Sequence, residues 1–292
     1  MRVLIASDGS ETALAAATWI AERLPALREA LVLTAWRSSA EAAQAAAEAT
    51  RRPLEERLPG RVRVALRRAE GPAGVVECIL AALREHPADL LVAGSRGLNE
   101  LEGMLLGSVS HGLVQRSPLP VLVFPARAAA PAPAGEERPL RLAVGSDGSP
   151  RALAAAHWVA RHLPGALAAV VAVARFAPPG VASGLAGYEA WEEARRRALE
   201  RAREAAEEAA RAFDPGRPPA ELHVLEAGEG SVAAALVDFA EGWGADLLAL
   251  GRSGQGRLAR LMLGSVTYAV LQRSRLPVLV VPEEAPEAGG EG

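Results

Sequence analysis

The feature that most constrains this chain is a two-part glycine pattern that occurs twice. Gly94-Ser95-Arg96-Gly97 is followed, after nine residues, by Gly107-Ser108-Val109-Ser110; Gly251-Arg252-Ser253-Gly254 is followed, after nine residues, by Gly264-Ser265-Val266-Thr267. Each copy comes after an apolar run (Leu90-Leu91-Val92-Ala93, Leu247-Leu248-Ala249-Leu250) and before a segment of helical periodicity (Val109, Leu113, Val114; Val266, Val270, Leu271). Strand, glycine loop and helix form the arrangement in which backbone N–H groups and a helix N-terminus hold an anion. Gly94 and Gly97 let the backbone approach a ligand and allow positive φ. Gly107 and Gly264 do the same at the helix start, and Ser108 and Ser265 either cap that helix or offer a hydroxyl to phosphate. One Gly-x-x-Gly means little in a chain with 28 glycines; the same spacing twice in the same context carries the weight. The bland alternative is a pair of ordinary glycine-capped turns, duplicated with the fold.

The rest of the chain repeats as well. Arg2 to Ser7 reads as strand one, Ala13 to Leu24 as a helix, Leu31 to Trp36 as strand two, and Ala40 to Leu58 as a helix that Pro53 should kink or break. Val62 to Leu66 is strand three, Pro72 to Glu85 a helix, Leu90 to Gly94 strand four, Ser108 to Arg116 a helix and Pro120 to Phe124 strand five. An Ala/Pro stretch over 127–138 reads as a linker. The series then restarts at Arg141 and ends with strand five at Pro277 to Val281. Asp8 and Asp147 are offset by 139 residues, but the glycine loops by 157, so the second copy carries 18 extra residues between strands two and three. They fall in a Gly/Pro loop from Phe176 to Gly187, which offers a lid over the second site, and in the charged segment Tyr188 to Arg211, read as a solvated covering helix. Residues 284–292 read as a disordered tail.

With 292 residues, two domains are expected, 1–126 and 139–283. Strands alternating with helices predict a parallel sheet, with ligands at the carboxyl ends of the strands where the strand order reverses. An acid after strand one, Asp8 or Asp147, would share that crevice with the glycine loop and meet a ribose hydroxyl or a metal-bound water; capping of the next helix is the competing role. A net charge of −3 gives no electrostatic argument for nucleic acid or an anionic membrane. The chain has no lysine, which excludes a Gly-Lys-Ser/Thr phosphate loop and Schiff-base chemistry, and counts against a receiver-type phosphoacceptor. Cys78, the single cysteine, sits in an apolar helical pattern and reads as a buried thiol. With no signal peptide and no membrane span recognised, a cytoplasmic location is the default expectation. His157 and His162 are off one helical face, no nucleophile elbow is present, and no general base is evident in either spacer, so binding is favoured over catalysis. His111, next to the first loop, is either a phosphate contact or a surface histidine.

These residues resemble the universal stress protein family. Its pattern, Gly-x2-Gly-x9-Gly-Ser/Thr preceded by an Asp after strand one, is met in both halves. The resemblance implies an α/β fold of two tandem doubly wound domains. Each would be an open five-stranded parallel sheet in the order 3-2-1-4-5 with helices on both faces, paired as a pseudo-dimer through strand five. It further implies ATP, with phosphate-bound Mg2+, near Asp8, Ala35, Gly94, Gly97, Gly107, Ser108 and Val109 in one site. In the other site it implies ATP near Asp147, Val173, Gly251, Gly254, Gly264, Ser265 and Val266. Asp8 and Asp147 would lie by ribose and adenine, and Ala35 and Val173 would touch adenine. The implied role is stress-response regulation through an unidentified protein partner, with a further homodimer left open and slow ATPase or phosphotransferase activity as the alternative. The spacers differ: the second has Arg257 and Arg260, whereas the first has Glu100, Glu102 and Gly103, so the second site is expected to bind ATP more tightly.

Overall fold

The computed structural model describes residues 1–24, 26–70, 74–95, 106–126, 138–176, 184–213, 219–227, 230–252 and 263–283. Gly97, Gly254, both spacers up to Leu105 and Met262, the linker over 127–137, the loop over 177–183 and the tail lie outside them.

The first set of elements is β1 (Arg2–Ala6), α1 (Glu11–Arg23), β2 (Glu29–Trp36), α2 (Ala40–Arg57), β3 (Val62–Arg68), α3 (Gly74–Glu85), β4 (Leu90–Gly94), α4 (Ser108–Arg116) and β5 (Val121–Phe124). The second is β6 (Arg141–Gly145), α5 (Pro150–His162), β7 (Leu167–Ala174), α6 (Gly184–Ala210), β8 (Glu221–Glu226), α7 (Val232–Gly242), β9 (Leu247–Gly251), α8 (Ser265–Arg273) and β10 (Val278–Val281). The strands form one ten-stranded sheet in the order β3-β2-β1-β4-β5-β10-β9-β6-β7-β8. Each half therefore has the order 3-2-1-4-5, parallel throughout, and β5 meets β10 antiparallel with Leu122 opposite Leu279. Both leucines are 1% exposed, and burying each contributes about 1.5–3 kcal/mol to the seam.

The central strands are apolar on consecutive residues because both of their faces are covered. One cluster (Ile5, Ile20, Val32, Val144, Val159) lies on the side of α1, α2, α5 and α6, and the other (Leu4, Ile79, Leu113, Leu236, Val270) under α3, α4, α7 and α8. Helix α1 buries Ala13, Ala16, Ala17 and Ile20, a stripe at helical spacing, and α5 repeats it with Ala152, Ala155, Ala156 and Val159.

Three expectations are corrected. Helix α2 continues through Pro53, because fully buried Leu54 anchors the turn beyond it and its carbonyl accepts from Leu58 N at 2.8 Å. Helix α6 is not merely a solvated cover: Ala202, Ala205, Ala206 and Ala209 are buried against β7 and β8, while exposed positions carry the Glu193–Arg197 and Arg203–Glu207 pairs. Cys78 is half-buried rather than enclosed, and its thiol donates to Arg68 O at 3.5 Å.

The halves also meet through side chains. Asp246 accepts from Arg23 of α1 at 2.9 Å and from Arg138 at 2.6 and 2.9 Å. His111 of α4 meets Tyr268 of α8 edge-on, with ring centroids 5.7 Å apart.

Candidate nucleotide site

The chain leaves β1 through Ser7-Asp8-Gly9-Ser10 and β6 through the identical Ser146-Asp147-Gly148-Ser149. Asp8 Oδ1 accepts from Ser10 N, and Asp147 Oδ1 from Ser149 N, each at 3.0 Å, which closes a side-chain-stabilised turn. The helix caps are the serines: Ser10 Oγ accepts from Ala13 N at 3.4 Å and Ser149 Oγ from Ala152 N at 3.3 Å. The capping role considered for Asp8 and Asp147 is thus taken by their neighbours. Left-handed backbone is needed in this turn, at Gly9 (φ +80) and Gly148 (φ +72). Ser7 and Ser146, not singled out from sequence, pin the turn to the second helix of each half. Ser7 Oγ lies 2.6 Å from Thr50 Oγ1, and Ser146 Oγ donates to Ala205 O at 3.1 Å. The signal that could have found them was the identical Ser-Asp-Gly-Ser in both copies.

The ends of each glycine loop close on one another. Gly107 N donates to Ser95 O at 2.6 Å, and Gly264 N to Arg252 O at 3.1 Å. Ser110 Oγ donates to Ser95 O at 3.0 Å, and Thr267 Oγ1 to Gly251 O at 2.8 Å, tying the first helical turn to the end of the strand. The N-cap positions of α4 and α8 are Gly107 (φ −75) and Gly264 (φ −61), which have no side chain with which to cap. Ser108 and Ser265 are therefore the first helical residues rather than caps, and Gly107 and Gly264 do not use positive φ. The positive end of each helix dipole faces the end of the loop, a place that favours an anion.

Gly251 also has a packing reason. A Cβ there would lie 2.7 Å from the Arg151 carbonyl carbon and oxygen, so its bare backbone admits the first turn of α5. Arg252, which stands where the first half has Ser95, is specific to the second half. It is half-buried, and its Nη1 donates to Ser117 O at the C-terminus of α4 at 2.8 Å. Burial, and then the nearby Arg151, lower its pKa.

A cavity opens at the carboxyl ends of the inner strands in each half. The first, about 90 Å³, is lined by Asp8, Ala35, Gly94 and Val109, with Val75 and Ile79 as an apolar wall. The second, about 150 Å³, is lined by Asp147, Val173, Gly251, Gly264, Ser265 and Val266, and has Val232 and Leu236 at the positions of that wall. Gly107 and Ser108 stand at the start of α4 but do not line the first cavity. Among the described residues no group of three His, Cys, Asp or Glu could hold a metal, and no helix is long and apolar enough to cross a membrane.

The sequence model of the universal stress protein family matches residues 1–125 and 140–282. A universal stress protein of Methanocaldococcus jannaschii is 42% identical over 59 residues, 20% of this chain and 35% of that protein. One of Bacillus subtilis is 49% identical over 45 residues, 15% of this chain and 30% of that protein, so these matches span about a third of each relative. Among solved structures, a universal stress protein of Archaeoglobus fulgidus superposes with a TM-score of 0.62 at 21% identity, covering 96% of each chain. A putative universal stress protein of Pseudomonas aeruginosa gives a TM-score of 0.62 at 16% identity, over 97% of this chain and 93% of that one. Both likenesses speak for the fold.

Proposed function

Because this chain belongs to the universal stress protein family, we propose that it is an ATP-binding regulator of the stress response. It works in the cytoplasm, carries one nucleotide site in each of two domains (1–126 and 139–283), and acts by binding rather than by fast turnover. The observation that carries this reading is the duplicated cavity: ten lining positions correspond between the halves, among them Asp8 with Asp147, Ala35 with Val173, and Val109 with Val266. A cavity with an acid at one end, an apolar wall and a helix start with glycine at the cap suits a nucleotide. The base would lie against Ala35 or Val173, the ribose hydroxyls near Asp8 or Asp147, and the phosphates at the start of α4 or α8. Gly97 and Gly254 would complete the loops. Mg2+ would be held chiefly by the phosphates, since Asp8 and Asp147 are the only carboxylates among the described lining residues. Arg257 and Arg260 would make the second site the tighter one.

Calorimetric titration with ATP and Mg2+ tests this reading. The parent chain should take up two nucleotides, and Ala35→Trp and Val173→Trp, each filling one cavity, should leave one apiece. Retention of both sites in both variants, or no uptake by the parent, would overturn it. A steady-state phosphate-release assay on the same samples distinguishes binding from slow hydrolysis.

A further inference from the structure

The second half carries 18 extra residues between its second and third strands, and helix α6 has 27 residues against 18 in α2. Between α6 and β7 lies an open groove of about 680 Å³, several times larger than the neighbouring nucleotide cavity. It lies on the opposite face of β7 from α7 and α8, and shares with that cavity only Ser146, Asp147 and Val173 at the strand ends.

The groove is open because its floor is alanine. Ala172 and Ala174 of β7 face Ala198, Ala202 and Ala205 of α6, so neither surface has side chains long enough to fill the space. In the first half the place of Ala174 is taken by Trp36, with the Arg68 guanidinium 5.8 Å from the indole centroid. The end wall is aromatic: Trp191 on α6 packs edge-on to Phe176 at 6.0 Å and lies 5.5 Å from Tyr188. Three guanidiniums border the groove. Arg197 Nε donates to Glu193 at 2.7 Å and Arg201 Nε to Arg197 O at 3.2 Å, while Arg175 is exposed; among the described lining residues one carboxylate, Asp147, stands against them.

We infer that this groove is a second ligand site, for a flat aromatic anion that stacks on Trp191 and Phe176 and turns its carboxylate, sulfonate or phosphate toward Arg197 and Arg201. Aromatic walls supply area and orientation, and guanidiniums select the anionic group. The site does not require the nucleotide reading, because its distinguishing residues do not touch the nucleotide cavity.

The full chain is titrated with 8-anilinonaphthalene-1-sulfonate, an aromatic anion of this class, by fluorescence and calorimetry without nucleotide. One saturable site per chain is expected. Ala194→Phe, which fills the groove from an exposed helix position, and the double change Arg197→Glu with Arg201→Glu should each weaken binding at least about tenfold, as expected for loss of charge-assisted contacts or of the space itself. Trp191→Ala, which removes the stacking ring, should also weaken it. Circular dichroism confirms that each variant is folded. Absence of one-to-one uptake, or uptake unchanged in both Ala194→Phe and the arginine pair, overturns the proposal; nucleotide uptake measured separately stays informative in either case.

Discussion

Gly251→Ala should destabilise the protein before any ligand is added. A Cβ at this position would sit 2.7 Å from the Arg151 carbonyl carbon and oxygen and 3.0 Å from Ala152 N. All three are backbone atoms in the first turn of α5, so no side chain can rotate away. That turn is also held by the Ser149 cap at 3.3 Å and by the Arg151–Glu283 ion pair at 3.0 Å, so displacing it strains contacts on both sides. Forcing one methyl into such a fit costs about 1–3 kcal/mol. In a chain of 292 residues each kcal/mol lowers the melting temperature by about 1.6 °C. Nucleotide-free thermal melts of the two proteins measure the effect. A melting temperature within about 1 °C of the parent, below what the smallest of these costs produces, would refute the argument that this glycine exists to admit a helix. It would return the residue to the ligand-approach role that the sequence suggests.

Two further outcomes follow from buried groups. Asp246→Ala removes a carboxylate that is 9% exposed and leaves Arg23, 12% exposed, without its counter-charge; breaking such a pair from one side costs about 3–5 kcal/mol, and a loss under 1 kcal/mol in denaturant melts would show that the bridge between the halves is incidental. His162 stacks on Trp158 at 4.5 Å with Nδ1 3.0 Å from the Trp158 carbonyl, and burial holds its pKa below the usual 6.5. The unfolded chain therefore takes up this proton first as pH falls, so the contribution of His162 to stability is complete above 6.5 and is lost as pH drops toward the folded value. His162→Phe should flatten the fall in melting temperature between pH 7 and 5; an unchanged slope would assign that fall to other groups.

Much of the architecture was legible because it is written twice. Strand four and the following helix of the first half, Leu90 to Gly94 and Ser108 to Arg116, end where the sequence places them, since glycines and apolar runs mark both boundaries. The alanine face of α6 could have been read from Ala202, Ala205, Ala206 and Ala209, which recur at helical spacing, but the dense Glu/Arg pattern over the same residues drew attention to its solvated side. The uses of Gly251 and Arg252 were not legible. One depends on how closely α5 approaches, and the other on a carbonyl 135 residues away in sequence, and no local pattern encodes either distance.

His111 and Tyr268 occupy the same position in the two repeats, 157 residues apart, and touch each other where the halves adjoin. Two separate identical chains meeting on a two-fold axis could place there only a residue against its own copy. Covalent fusion lifts that requirement, so each side of the seam can diverge independently. The consequence is a polarity: Arg252 crosses to Ser117, whereas its counterpart Ser95 turns back to accept from Ala126 N at 2.9 Å within its own half. The chain thus has a left and a right, and an event at one end is chemically distinguishable from the same event at the other, which no symmetric pair of identical subunits can achieve.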